Sequence, residues 1–439
     1  MHTQKTLSYA TTHTTSTTAN TVTRGGPNAG VATPNHPQPK PPEKYLNPNN
    51  PNRTSDSYLN FELTEEQEEI RVAVREFAEK EFTPEVAREY DAKEEFPMEL
   101  YKKAAQLGFV GLNFDEEYGG QGYGLTEVIL TIEELCRADS TLGTAILIGA
   151  FGSDMIHMFG TEEQMQKYLP KVAAGEWISS GAFTEPARGS DITMVDTTAA
   201  KDDEGYTING AKTLISNAPI ADFGIILCQT DPGVQHRGSS LLIVDKGTPG
   251  FDSNPIHGKM GIRASVIGEY SFSDCRVPLD ALIGVENMGF YHTLEFLDVG
   301  RVAVSAQAVG MAQGALEKAI AYAKERVQFG RPLTDFQAIQ HKIADIATNL
   351  EAARLMTYKA AYLIDQGRII PKWSCMAKNF ATVAAGKAIF DALQIFGGYG
   401  YISEYDIERT YRDIRVTEIY EGTTEIQKNM VARFVIRGE

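Results

Sequence analysis

The apolar residues of this chain change their spacing twice, and those two changes limit the fold more than any other feature. Over residues 61–175 they recur at helical intervals, with Ile70, Val74, Phe77 and Phe82 in the first run and Thr64 and Gln67 placed as a capping box at its head. Over residues 178–278 the pattern becomes alternation and short apolar runs, in Thr207-Ile-Asn-Gly, Phe223-Gly-Ile-Ile-Leu, Ser240-Leu-Leu-Ile-Val and Glu269-Tyr-Ser-Phe, with Gly, Asp and Pro at the turns. From Gly289 the helical interval returns and predicts helices near 302–327, 336–366 and 371–395. The chain therefore reads as an α+β protein: an N-terminal α-helical domain over 58–177, a middle β domain over 178–288 and a C-terminal α-helical domain over 289–439. Residues 1–57 are rich in Thr, Asn and Pro, hold no acid before Glu43, and are expected to form a disordered tail.

Several function classes drop out on physical grounds. A formal charge of −17 opposes unaided binding to nucleic acid or an anionic membrane, and there is no Lys/Arg run to reverse it. No uninterrupted apolar run reaches the eighteen or so residues of a membrane span. Cys136, Cys228, Cys275 and Cys375 are scattered without a C-x-x-C pair, which points to packed thiols in a reducing compartment. The eight histidines show no metal-ligand pairing, so no metal is expected. There is no G-x-G-x-x-G, P-loop, H-E-x-x-H or G-x-S-x-G; the glycines of Gly119-Gly-Gln-Gly-Tyr-Gly124 have the wrong spacing and read as a turn between helices. The expected location is cytoplasmic, with the mitochondrial matrix as the alternative if the tail is a transit peptide.

Two segments carry chemistry. Tyr420-Glu421-Gly422 follows a charged helical stretch and precedes another, which Thr424 as N-cap and Gln427 three residues on would open as a capping box. A carboxylate held at such a break is a candidate base, although a lone Glu-Gly pair is more often a solvated helix end. The second segment, Gly181 to Asp191, is an apolar strand running into a loop whose glycine permits close backbone approach to a ligand.

Thr184-Glu-Pro-Ala-Arg-Gly-Ser-Asp191 and Ile419-Tyr-Glu-Gly-Thr-Thr-Glu-Ile-Gln427 resemble blocks of the FAD-dependent acyl-CoA dehydrogenases. So, in order, do Lys259-Met-Gly-Ile-Arg-Ala-Ser265, Arg326-Val-Gln-Phe-Gly-Arg-Pro-Leu333, Phe336-Gln-Ala-Ile339 and Gln394-Ile-Phe-Gly-Gly398, so that the resemblance covers roughly 58–437. It implies a middle β-barrel or sandwich, a C-terminal four-helix bundle that assembles a homotetramer, and FAD held without a Rossmann fold. Glu421 would abstract the α-proton of an acyl-CoA thioester while the β-hydride passes to flavin N5, giving a 2-enoyl-CoA. Some family members place the base just before the arginine of Leu297-Asp-Val-Gly-Arg301; here that residue is Gly300, which leaves Glu421 as the candidate.

The resemblance further implies that Phe183, Thr184, Gly189, Ser190, Leu214 and Ser216 line the flavin, with Ser190 also facing the CoA arm. Arg326, Gln328, Phe329, Gln337, Gln394, Gly397 and Gly398 would hold the pyrophosphate and adenosine end across the dimer, and Thr423 and Glu425 complete the flavin set. Asp298, Arg301, Tyr420 and Gly422 would lie on the substrate side, with an intrahelical ion pair as the plain alternative for Asp298 and Arg301. Two positions depart from the family: Leu214, where Trp is frequent, and Arg188, where a small residue is usual. Gly143 falls where glutaryl-CoA members carry an arginine, which disfavours a dicarboxylic substrate, and Leu142, Ile146 and Ile148 suggest an apolar acyl group. The expected electron acceptor is electron-transfer flavoprotein; an acyl-CoA oxidase, or a low-turnover flavin-binding assembly protein of the same fold, is the alternative.

Overall fold

The computed structural model describes residues 62–368 and 370–438, so the expected tail lies outside the described residues. Among the described residues seven α-helices come first: α1 (Glu65–Glu81), α2 (Pro84–Lys93), α3 (Met98–Gln106), α4 (Leu125–Ala138), α5 (Ser140–Ile148), α6 (Ser153–Phe159) and α7 (Glu162–Ala173). The box at the head of α1 forms as expected, with Thr64 accepting from Gln67 N and the Gln67 side chain accepting from Thr64 N. The glycine-rich turn also falls between helices, and Gly124 caps α4.

Eight strands then form one sheet: β1 (Ser179–Ala182), β2 (Thr198–Lys201), β3 (Gly205–Ser216), β4 (Phe223–Gln229), β5 (Ser239–Asp245), β6 (Phe251–Ile256), β7 (Ile267–Pro278) and β8 (Leu282–Ile283). Their order is β6-β7-β3-β2-β4-β5-β8, with β1 parallel to β4 and β4 antiparallel to β5. Strand β4 is buried along its whole length, which is why it reads as a continuous apolar run. Phe223, Ile225 and Leu227 pack into the core shared with the N-terminal helices, and Ile226 and Cys228 into the core within the sheet.

The remainder is helical: α8 (Gly289–Glu325), a short hairpin of β9 (Val327–Gln328) and β10 (Arg331–Pro332), α9 (Gln337–Asp365), α10 (Pro371–Phe396), α11 (Ile407–Ile414) and α12 (Thr424–Arg437). A third core runs through α8, α9 and α10 and takes Leu125, Ile129, Ile132 and Cys136 from α4, so α4 serves two cores. The Asp365 carboxylate at the end of α9 accepts from Leu125 N (2.6 Å) and Thr126 N (3.0 Å), which satisfies the open amides at the start of α4. All four cysteines are free and buried.

Among the described residues two stretches match a membrane span by length and mean hydropathy: 140–159 and 371–401. The first is two helices broken at Gly149–Gly152, and the second is α10 with its following turn, half-buried within the helical core. Both are accounted for as core helices.

Candidate active site

Glu421 sits in a left-handed kink. Its φ is 55° and that of Gly422 is 89°, two successive positive values of which the first is unusual for a residue with a Cβ. The kink is tied from both sides. The Lys378 Nζ, on α10, donates to the Tyr420 carbonyl (2.6 Å) and to the Gly422 carbonyl (2.5 Å). The Gln427 Nε2 donates to the carbonyls of Glu421 and Gly422, each at 3.0 Å. Helix α12 therefore starts differently from the sequence expectation. Thr423, not Thr424, is the N-cap, accepting from Ile426 N, while Thr424 is the first helical residue and bonds the Glu418 carbonyl. Gln427 is drawn off to the kink, because two bent carbonyls there need donors more than a cap does.

The Glu421 carboxylate occupies a slot on α8 that exists because residue 300 is glycine: a Cβ at Gly300 would lie 2.9 Å from Oε2. Glu421 keeps some solvent contact, yet its Oε2 has none and has no hydrogen-bond partner. Burial pushes its pKa up to about 7, and the nearby Arg301 and Lys378 cations hold it from going higher. Asp298 and Arg301 are 4% and 5% exposed and form an ion pair one turn apart on α8, beside Gly300. Burial lifts Asp298 to about 6 against the pull of Arg301, whose Nε is buried without a partner. The Tyr420 hydroxyl is spent inside the protein on Gln307 Oε1, and Gln307 Nε2 donates to Thr144 (2.7 Å).

On the β side, Phe183 packs with Phe151 and with Phe296 of α8 at centroid distances of 6.5 and 6.0 Å, which brings the 183–191 loop to the helix that carries Gly300. That loop is anchored by a buried ion pair, Lys212 (0% exposed) with Glu185 (3%), at 2.8 Å. Glu185 also accepts from the amides of Asp196 (2.6 Å) and Thr197 (2.8 Å). Thr184 is half-buried; Gly189 and Ser190 are exposed. Strand β3 is bulged between Lys212 and Ile215, where Leu214 adopts φ 57° and is 60% exposed, with half-buried Ser216 beyond it. Arg188 is engaged with Asp196 at 3.2 Å.

Arg326, Gln328, Gly397 and Gly398 meet in a groove of about 500 Å³ that also takes Tyr322 and Tyr399. Gln394 and Gln337 are exposed; the Gln394 carbonyl accepts from Gly397 N, and Gln337 opens α9. Phe329 stands at the tip of the β9–β10 hairpin with φ 51° and 93% exposure. Within one chain this groove is lined by none of the residues around Glu421 or along the β loop. Thr423, two residues beyond Glu421, is the N-cap of α12, and Glu425 is exposed in the first turn of that helix.

The residues suggested for an acyl pocket, Leu142, Ile146 and Ile148, are all buried. Leu142 and Ile146 are core residues, and a Cβ at Gly143 would come within 2.6 Å of the α4 backbone, so residue 143 faces α4. Sequence reasoning also missed Lys378, Gln427 and Lys212 as parts of the site. A lysine on the apolar helix 371–395 was the available signal for the first.

The chain belongs to the acyl-CoA dehydrogenases: the family's N-terminal, middle and C-terminal domain models match residues 64–176, 180–275 and 287–436. It is 42% identical to an acyl-CoA dehydrogenase of Bacillus subtilis over 86% of this chain and 99% of that one. It is 39% identical to the CarC subunit of a caffeyl-CoA reductase-Etf complex of Acetobacterium woodii, over 85% of this chain and 99% of that one. Among solved structures, butyryl-CoA dehydrogenase of Megasphaera elsdenii superposes with a TM-score of 0.83 at 38% identity, covering 86% of this chain and all of that one.

Proposed function

We propose that Glu421 is the base of an FAD-dependent acyl-CoA dehydrogenase that converts an apolar acyl-CoA thioester to a 2-enoyl-CoA. The observation that carries this reading is the Glu421 carboxylate: partner-free at Oε2, raised to about 7 and lodged in the space left by Gly300. A base must match the acidity of the proton it takes, and a thioester α-proton demands a carboxylate stronger than an exposed one. An apolar acyl chain closing over Oε2 removes water and strengthens that base further. The Glu421 N–H lies in the same peptide plane as the gripped Tyr420 carbonyl, so it is a pre-aimed donor for the thioester oxygen as that oxygen gains charge.

The residues fit a flavin: Glu421 Oε2, at Gly300, and Arg301 Nε are orphaned on the helix that also carries Phe296, whose ring meets Phe183 at the start of the 183–191 loop. FAD, when bound, supplies the acceptor for the β-hydride. Phe183, Thr184, Gly189, Ser190, Leu214, Ser216, Thr423 and Glu425 would hold its ring end. Arg326, Gln328, Phe329, Gln337, Gln394, Gly397 and Gly398 would hold the adenosine end of a neighbouring copy, since the groove stands apart from Glu421 and Phe329 projects outward. This arrangement suits the homotetramer, which sedimentation would test. The Etf complex of the Acetobacterium relative supports electron-transfer flavoprotein as acceptor, and the bacterial relatives favour a cytoplasmic enzyme.

The test is anaerobic mixing of the purified yellow protein with butyryl-CoA and a panel of longer and branched esters. Bleaching by at least one ester, lost in Glu421→Gln with the yellow spectrum kept, is expected; bleaching by that variant refutes the assignment. In air, peroxide formed at the rate of turnover would identify an oxidase instead.

A further inference from the structure

We propose that Lys378 is a positioning residue that sets the Tyr420–Glu421 peptide, and so aims the amide donor for the thioester and holds the carboxylate against Gly300. The proposal rests on the reading of Glu421 as base, and it starts from where a buried ammonium is bonded. Lys378 is 1% exposed, yet its Nζ hydrogen bonds run to two main-chain carbonyls, those on either side of Glu421. An ammonium in a low-dielectric interior is costly to bury, and this one is placed to grip a loop. The grip has a directional consequence. In a trans peptide the C=O and N–H point opposite ways, so a cation on the Tyr420 oxygen orients the Glu421 N–H away from α10 and draws electron density from it, which makes the N–H a stronger donor. The second bond, to the Gly422 oxygen, closes the kink on its other side and supports the positive φ values of Glu421 and Gly422.

Lys378 also acts through space. The charged and titratable groups around the pair are Arg301, Asp298 and Glu295 on α8, Cys375 on α10, and Glu418 and Tyr420 on the segment that leads to the kink. Arg301 and Lys378 are the cations that favour ionised Glu421, and burial lowers Lys378 itself to about 8.

The test needs a readout besides turnover. In FAD-loaded Glu421→Gln, butyryl-CoA labelled with ¹³C at the thioester carbonyl stays unreacted, and its infrared C=O stretch reports the donor strength it meets. Adding Lys378→Met is expected to remove at least half of the lowering of that stretch relative to free butyryl-CoA. In the Glu421 background, Lys378→Met is expected to move the rise of bleaching rate with pH upward by at least one pH unit and to lower its plateau at least tenfold. An unchanged carbonyl stretch overturns the proposal. If the Met variant fails to hold FAD, Lys378→Gln carries the same test, because it keeps N–H donors and loses the charge: a reduced lowering is again expected, and a wild-type stretch overturns it. Bleaching by Glu421→Gln alone would instead refute the base, a distinct result.

Discussion

Glu421→Gln should make the protein more stable, and more so as pH rises. A carboxyl whose folded pKa is raised binds its proton more tightly in the native state, so the stability tied to its neutral form is complete below about 4.5 and is lost as pH rises through about 7. The gap between 4.5 and about 7, at about 1.4 kcal/mol for each tenfold change, amounts to about 3 kcal/mol once both states are ionised. Since Glu421 retains some solvent contact, this is an upper figure. Glutamine is neutral at every pH and of the same length, so it escapes the cost. Urea unfolding of the FAD-loaded proteins should show the variant ahead by under about 1 kcal/mol near pH 5 and by up to about 3 kcal/mol near pH 8. A difference that is flat between those pH values would refute the claim that burial sets the acidity of this group. A variant less stable at pH 8 would mean that the cations Arg301 and Lys378 outweigh desolvation.

Gly300→Ala puts a methyl 2.9 Å from Oε2, so it should displace the carboxylate and slow anaerobic bleaching by about tenfold or more while FAD stays bound, as stopped-flow absorbance would show. In the unaltered protein that bleaching rate should climb as pH rises through about 7, because only ionised Glu421 accepts a proton. Lys212→Met leaves Glu185 buried without its cation and should cost about 3 to 5 kcal/mol in urea unfolding, with the 183–191 loop loosened and FAD held more weakly. Thr423→Ala removes the cap of α12 and should cost about 1 kcal/mol, whereas Thr424→Ala leaves that cap in place.

Much of the fold was legible because burial leaves a period in the sequence. The run at Phe223 marked a strand, which the structure buries along its whole length, and α9 and α10 run within one residue of the limits that their apolar spacing suggested. Helix α8 was read short, starting at Gly289 rather than near 302, since its first turns are only partly buried and leave a weaker stripe. The start of α12 was misplaced by one residue because a capping pattern is local, while Gln427 donates to the carbonyls of Glu421 and Gly422, the second of which is also held by Lys378 from α10.

What the linear order of residues determined by itself is the succession of helical and alternating segments, and the presence of a carboxylate at a break between helices, since both follow from side-chain spacing and backbone freedom. Only the tertiary structure decided that this carboxylate is short of water and partners. Its surroundings come from three separate places in the chain, Gly300 and Arg301 on α8, Lys378 on α10 and Gln427 on α12, and the acidity of a group depends on what is packed around it in space.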